Sequence, residues 1–232
     1  MSHVGASGSK LRHAAVLALL VQSVAYCGAR AQEMVVRQEP IPDGVWDEMQ
    51  GKSWHDGIGC PSRAELVLLT VPYHDFQGQS QLGYLIVATK AAADVAAAFK
   101  EIYDSNSFRI ERMELIDKYG GDDDKSMAAN NTSAFNCRPV AVGLKPIAHM
   151  QGIAVDINPV QNPYVTGHPT SPMSVVKPEA GRPYIAEVSR SANIIGLITP
   201  RGVVTEAFSK RQWRWANSGY ITDYKHFSQN GK

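Results

Sequence analysis

A chain of 232 residues, 44% hydrophobic and 19% charged, can bury a core of its own, which excludes wholesale disorder. Its formal net charge of +1 is not the electrostatic footprint of a nucleic-acid binder, so no nucleic acid is expected as a partner.

The N-terminus reads as a targeting segment. Lys10 and Arg12 precede an apolar run from Ala14 to Tyr26, and Ala29-Arg30-Ala31 has the small-x-small form of a signal-peptidase site. The run is short for a bilayer span. Residues 1–31 are therefore expected to be a cleaved secretory signal. The protein is then exported, periplasmic or extracellular, with no stable membrane insertion after cleavage. Cys27 follows the bulky Tyr26, which disfavours lipidation. Loss of Lys10, Arg12 and Arg30 takes the basic residues from 23 to 20 against 22 acidic ones, a net of −2. Cys60 and Cys137 remain. In an exported chain such a pair favours one disulfide over two buried thiols.

Residues 32–59 contain Gly, Pro, Trp46 and Trp54, and read as an arm packed on a domain spanning 60–232. Glu65–Val71 and Gly83–Ala88 read as strands joined by a polar stretch. Lys90–Tyr103 is Ala-rich with Val95, Phe99, Ile102 and Tyr103 on one face, the pattern of a helix. Phe108–Leu115 reads as a strand, and Gly120–Ser126 as a charged, solvated loop. Its three aspartates, Asp122 to Asp124, do not have the spacing of a calcium loop. Ser126–Arg138 is polar with little periodicity, and Val140–Leu144 is ambiguous. Ile153–Asn158 is a strand. Pro159–Pro183 holds six prolines and is expected to be mostly loop. Val203–Trp213 reads as a helix and Tyr220–Phe227 as a short last strand. Helices and strands mix without βαβ alternation, so the fold class is α+β, a small antiparallel sheet flanked by helices.

Asp156 lies inside the apolar strand Ile153–Asn158. An unpaired carboxylate there is costly, so it needs a partner. Alternation puts Ile153, Val155 and Ile157 on one face, and Ala154, Asp156 and Asn158 on the other. The small Ala154 leaves room beside Asp156, and Gly152 permits a tight turn that folds His149 back over the same face. His149 and Asp156 suit zinc, and they equally suit a buried His–Asp hydrogen bond. His226, in the aromatic-rich C-terminal stretch, offers a third ligand. Three protein ligands with an open position is the pattern of a catalytic zinc site. Asp223, three residues before His226, is placed to act as general base on an activated water. Arg138 offers a positive charge for a developing oxyanion. Trp213 and Trp215 either line a cleft or close the core. His55, His74 and His168 read as surface histidines. Asn130 and Asn131 match glycosylation patterns but stand too close to Arg138 for a glycan to be tolerated.

The arrangement His149-x-x-Gly152-x-Ala154-x-Asp156 resembles the zinc motif of the D-Ala-D-Ala carboxypeptidase/dipeptidase family. That family includes VanY- and VanX-like enzymes and the L-alanyl-D-glutamate peptidases of phage endolysins. Asp223-Tyr224-Lys225-His226-Phe227 resembles its second motif. Ser126–Arg138 is similar to its arginine-bearing segment, and Ile157–Val165 to the stretch after its Asp ligand. The resemblance covers about residues 60–228 and implies a hedgehog/D-Ala-D-Ala-peptidase-like fold. It implies Zn2+ on His149, Asp156 and His226, Asp223 as base and then proton donor, and Arg138 on the scissile carbonyl. The family often has Ser where Ile147 stands, so a supporting hydrogen bond is expected to be missing or replaced. The base is Asp where the dipeptidases have Glu, which resembles the endolysin branch.

The expected function is that of an exported, monomeric zinc metallopeptidase acting on peptidoglycan stem peptides, D-alanyl-D-alanine carboxypeptidase-like. The alternative within the class is an endolysin-type L-alanyl-D-glutamate endopeptidase. From another class, the alternative is a non-catalytic zinc-containing cell-wall-binding module.

Overall fold

The computed structural model describes residues 1–3, 34–139, 147–168, 171, 173–186, 190, 193–217 and 221–229. The expected signal, beyond its first three residues, and the ambiguous Val140–Leu144 lie outside the described residues. Glu33–Lys232 form one compact unit, separate from Met1–Gln32. No helix among the described residues is long and apolar enough to cross a membrane.

The unit is α+β and built on small antiparallel sheets. Strands β1 (Arg37–Pro40), β2 (Leu66–His74) and β3 (Ser80–Ala88) form the first, with β2 in the centre. The β2–β3 register runs from Leu66 opposite Ala88 to His74 opposite Ser80. The Asp75 carboxylate closes this hairpin by accepting the N–H groups of Gln77 and Gln79.

Strand β2 is apolar on both faces because both are covered. Val67, Leu69, Val71 and Tyr73 enter the main core, while Leu66 and Leu68 meet Ile41, Met49 and Phe135 on the other side. Ile41 precedes helix α1 (Asp43–Met49) and Met49 ends it. The segment before Cys60 thus seals the sheet's second face. The Cys60–Cys137 disulfide closes the same layer, with an S–S distance of 2.07 Å. Helix α2 (Thr89–Ser105) buries Ala91, Ala92, Val95, Ala98, Phe99 and Ile102 against the main core. Each such Val, Phe or Ile contributes about 1.5–3 kcal/mol when fully buried.

Two shorter helices follow, α3 (Asp123–Ala128) and α4 (Ile147–Met150). Next come strands β4 (Ala154–Asp156), β5 (Tyr164–Thr166) and β6 (Val175–Lys177), then helix α5 (Val203–Ser209). The chain closes with β7 (Arg214–Trp215), β8 (Ile221–Asp223) and β9 (His226–Ser228). One three-stranded sheet has the order β4-β9-β7 and the other β6-β5-β8.

Four sequence expectations need correction. Phe108–Leu115 is not a strand. Its Glu111 and Glu114 N–H groups donate to the side chains of Asn158 and Asn131, so no ladder forms. Gly120–Ser126 is not a loop throughout: Asp122 caps α3 by accepting the Lys125 N–H, and Asp123 and Asp124 fill its first turn. The proline-rich stretch carries β5 and β6. Tyr220–Phe227 is not one strand but β8 and β9, separated at Tyr224-Lys225 and paired into different sheets.

Candidate metal centre

The spacing His149-x-x-Gly152 is a helix-ending device. In α4 the Gly152 N–H donates to the His149 carbonyl and the Ile153 N–H to the Ala148 carbonyl, at 3.1 and 2.9 Å. This is the paired-bond C-terminal motif that requires a left-handed residue, and Gly152 sits at φ +66°. A Cβ on Gly152 would stand 2.5 Å from the Ala88 backbone nitrogen. The Ala88 N–H in turn donates to the Gly152 carbonyl. The turn pins His149 to the end of β3 and leads directly into β4.

The antiparallel pairing of β4 with β9 places Asp156 opposite His226. Three atoms then converge. His226 Nδ1 lies 3.0 Å from Asp156 Oδ1, His149 Nε2 lies 3.2 Å from the same oxygen, and the two imidazole nitrogens lie 3.1 Å apart. His149 Nδ1 faces the Ala134 carbonyl and can only donate to it, which turns Nε2 inward toward Asp156 and His226. The Ala134 carbonyl thus does the orienting that a side chain two residues before His149 would otherwise do.

These spacings fit zinc. Nitrogen and oxygen ligands about 2.0–2.2 Å from a tetrahedral ion stand about 3.3 Å from one another. Among the described residues this is the one group of three His, Cys, Asp or Glu side chains arranged to hold a metal ion.

The charges agree with the donor set. Burial disfavours the Asp156 carboxylate, but Lys225 and His149 outweigh it and hold its pKa well below the usual range. Burial likewise pulls His149 down, yet the Asp156 carboxylate and the Ala134 carbonyl push it up to about 9. The Asp156 carboxylate and the two imidazoles form a donor set that could hold a metal ion.

The cluster opens onto a cleft of about 420 Å³ that also bears Asp223, Arg138, Asp123, Asn136 and Lys225. Asp223 and Arg138 therefore share one cavity with His149, Asp156 and His226. Arg138 is held by Asp123, which accepts both its Nε–H, at 2.9 Å, and its Nη2–H. Asp123 also accepts from Asn136 Nδ2 at 2.6 Å. The Arg138 Nη1 makes no hydrogen bond among the described residues.

Ala154 does not keep the cleft clear: it is 0% exposed and belongs to the main core. Asn158, on the same side, is also buried and bridges the Arg109 and Gly196 carbonyls. Trp213 closes the core, and Trp215 packs against it and donates to the Tyr224 carbonyl. Asn130 and Asn131 are buried, so neither is a glycan acceptor surface.

Two residues of the site were passed over in the sequence. Lys225 was given no role, although a lysine between Tyr224 and His226 in an aromatic stretch is itself a signal. Asp123 was hidden in a run of acids that looks like solvated surface.

Comparison with known proteins agrees with this geometry. A family model described as D-alanyl-D-alanine carboxypeptidase matches residues 148–229, a span that contains His149, Asp156, Asp223 and His226. No curated protein and no solved structure matches the chain. Residues 148–229 are the ones that build the donor triangle and one wall of its cleft, and over that span the chain is similar to the D-alanyl-D-alanine carboxypeptidase family of peptidases.

Proposed function

We propose that the protein is an exported, monomeric, zinc-dependent peptidase that hydrolyses peptidoglycan stem peptides in the manner of a D-alanyl-D-alanine carboxypeptidase. The observation that carries this is the convergence of His149 Nε2, His226 Nδ1 and Asp156 Oδ1 within 3.0–3.2 Å at the wall of a cleft. In this reading His149, Asp156 and His226 hold the ion. Zinc, when bound, supplies Lewis-acid chemistry for hydrolysis. Asp223 takes the proton of the attacking water and returns it to the leaving amine. Arg138, aimed by Asp123, donates from Nη1 to the scissile carbonyl oxygen and to the negative charge that grows there. The buried His226, the mostly covered His149 and Asp156, and the walled cleft limit competing solvent.

The test is to incubate the mature protein, zinc-loaded and after chelation, with defined muropeptides and to identify products by mass spectrometry. Zinc-dependent loss of terminal D-Ala is expected. Release of the peptide after L-Ala assigns the endolysin-type endopeptidase instead. A zinc-loaded protein that yields no product from any stem peptide leaves the non-catalytic wall-binding module.

A further inference from the structure

We propose that Lys225 is the built-in counter-cation of this centre and the positioning residue that aims Asp223. The proposal rests on the metal-peptidase reading above and adds to it a group that reading does not use.

Lys225 occupies the turn between β8 and β9 and is only 4% exposed. Its ammonium donates to Asp223 Oδ1 at 2.5 Å and stands 3.7 Å from Asp156 Oδ2. It also lies 5.6 Å from the centre of the Tyr164 ring on β5. The groups facing it thus come from β4, β5 and β8. Its own backbone is fixed as well, because the Lys225 carbonyl accepts the Ile157 N–H at 3.1 Å.

Two consequences follow. The two oxygens of Asp156 have different partners: Oδ1 faces both imidazoles, and Oδ2 faces the ammonium. Lys225 therefore favours one-oxygen ligation by Asp156. It also ties Asp223 to the same point, so the base and the ligand are registered through one cation.

A buried cation beside a divalent ion repels it, and this sets Lys225 apart from a packing residue. Lys225 balances two partly buried carboxylates when no metal is bound, and weakens metal binding when one is. Neutralising it leaves Asp156 and Asp223 without that counter-charge, and the metal becomes their main compensation.

The test compares wild type, Lys225→Met, Lys225→Gln and Lys225→Arg. Zinc affinity is measured by chelator competition, thermal stability with and without zinc, and turnover on muropeptides. The neutral variants should bind zinc about tenfold tighter, melt lower without metal, gain more on adding zinc, and lose turnover through kcat. Lys225→Arg should keep wild-type zinc affinity. Neutral variants that bind zinc equally or more weakly than a zinc-binding wild type overturn the role of Lys225 and leave the metal reading intact. So does failure of both neutral variants to fold even with zinc. A wild type that takes up no divalent ion overturns both.

Discussion

Asp156 and His226 face each other across the β4–β9 pair, with His226 Nδ1 3.0 Å from Asp156 Oδ1. Strand pairing alone brings together residues 70 positions apart in the chain. In the proposed function their roles differ from that of Asp223, which shares the cleft but stands outside the donor triangle. His226→Ala should therefore lower zinc affinity by more than about 100-fold and abolish turnover. Asp223→Ala should retain zinc and lose about 10²- to 10⁴-fold in kcat. Metal analysis of purified protein beside single-turnover assays separates the two. A zinc-free Asp223→Ala protein contradicts the assignment.

How much of this was legible beforehand depended on whether the signal was local. His149, Gly152 and Asp156 lie within eight positions, and their spacing encodes a helix end followed by a strand, so it could be read directly. The pair Glu65–Val71 and Gly83–Ala88 was visible for the same reason: β-rich runs flank a turn. Ala154 was misread because period-two alternation says which residues share a face, not whether that face is open. Here the main core covers it. The strand expected at Phe108–Leu115 failed because Asn131 and Asn158, 17 and 47 positions from their partners, intercept its N–H groups. The Asp123–Arg138 contact spans 15 positions through a helix start that looked like solvated surface.

That contact carries the second prediction. Asp123 occupies Nε and Nη2 of Arg138, a residue of the cleft wall, and leaves Nη1 without a partner among the described residues. Arg138→Ala should lower kcat by about 10²- to 10³-fold, the usual cost of losing an oxyanion donor. Asp123→Asn should lower it by about tenfold with zinc content unchanged, since the guanidinium loses its aim but not its charge. Equal activity of Asp123→Asn and wild type would remove Asp123 from the site's support.

Gly152 carries the third. Its left-handed conformation and the Ala88 nitrogen 2.5 Å from a would-be Cβ leave no room for a side chain. Gly152→Ala should cost at least about 2 kcal/mol and reduce zinc uptake, because His149 and β4 diverge from the same turn. Gly44, in α1, has nothing within 4 Å of a would-be Cβ. Gly44→Ala is the control and should leave stability unchanged or raise it by up to about 1 kcal/mol. Urea denaturation of both variants checks the contrast.

The disulfide supports a fourth. Cys60 and Cys137 are 77 positions apart, and the bridge ties the segment ending at Arg138 to the layer that seals the first sheet. Replacing both with Ser should lower unfolding free energy by about 2–5 kcal/mol. The measurement is denaturant unfolding of the double variant against oxidised wild type. Identical midpoints would show that the bridge adds nothing.

Asp117 supports the last, on pH. It is 5% exposed and sits in the 3-10 turn Ile116–Tyr119. Burial raises its pKa, while the Ser53 N–H, donating to its Oδ1, and Lys52 only partly oppose the shift. An acid whose pKa is raised by folding holds its proton more tightly folded than unfolded. Its contribution to stability is therefore fullest below the unfolded value, about 3.9, and falls as pH climbs through the raised folded value. Asp117→Asn keeps an acceptor for the Ser53 N–H and removes the charge. The variant should gain on wild type as pH rises through that window, hold a constant advantage above it, and be more stable at pH 7. Melting curves of both proteins from pH 3.5 to 7.5 measure the gap, and a gap independent of pH would show that Asp117 pays no ionisation cost in the fold.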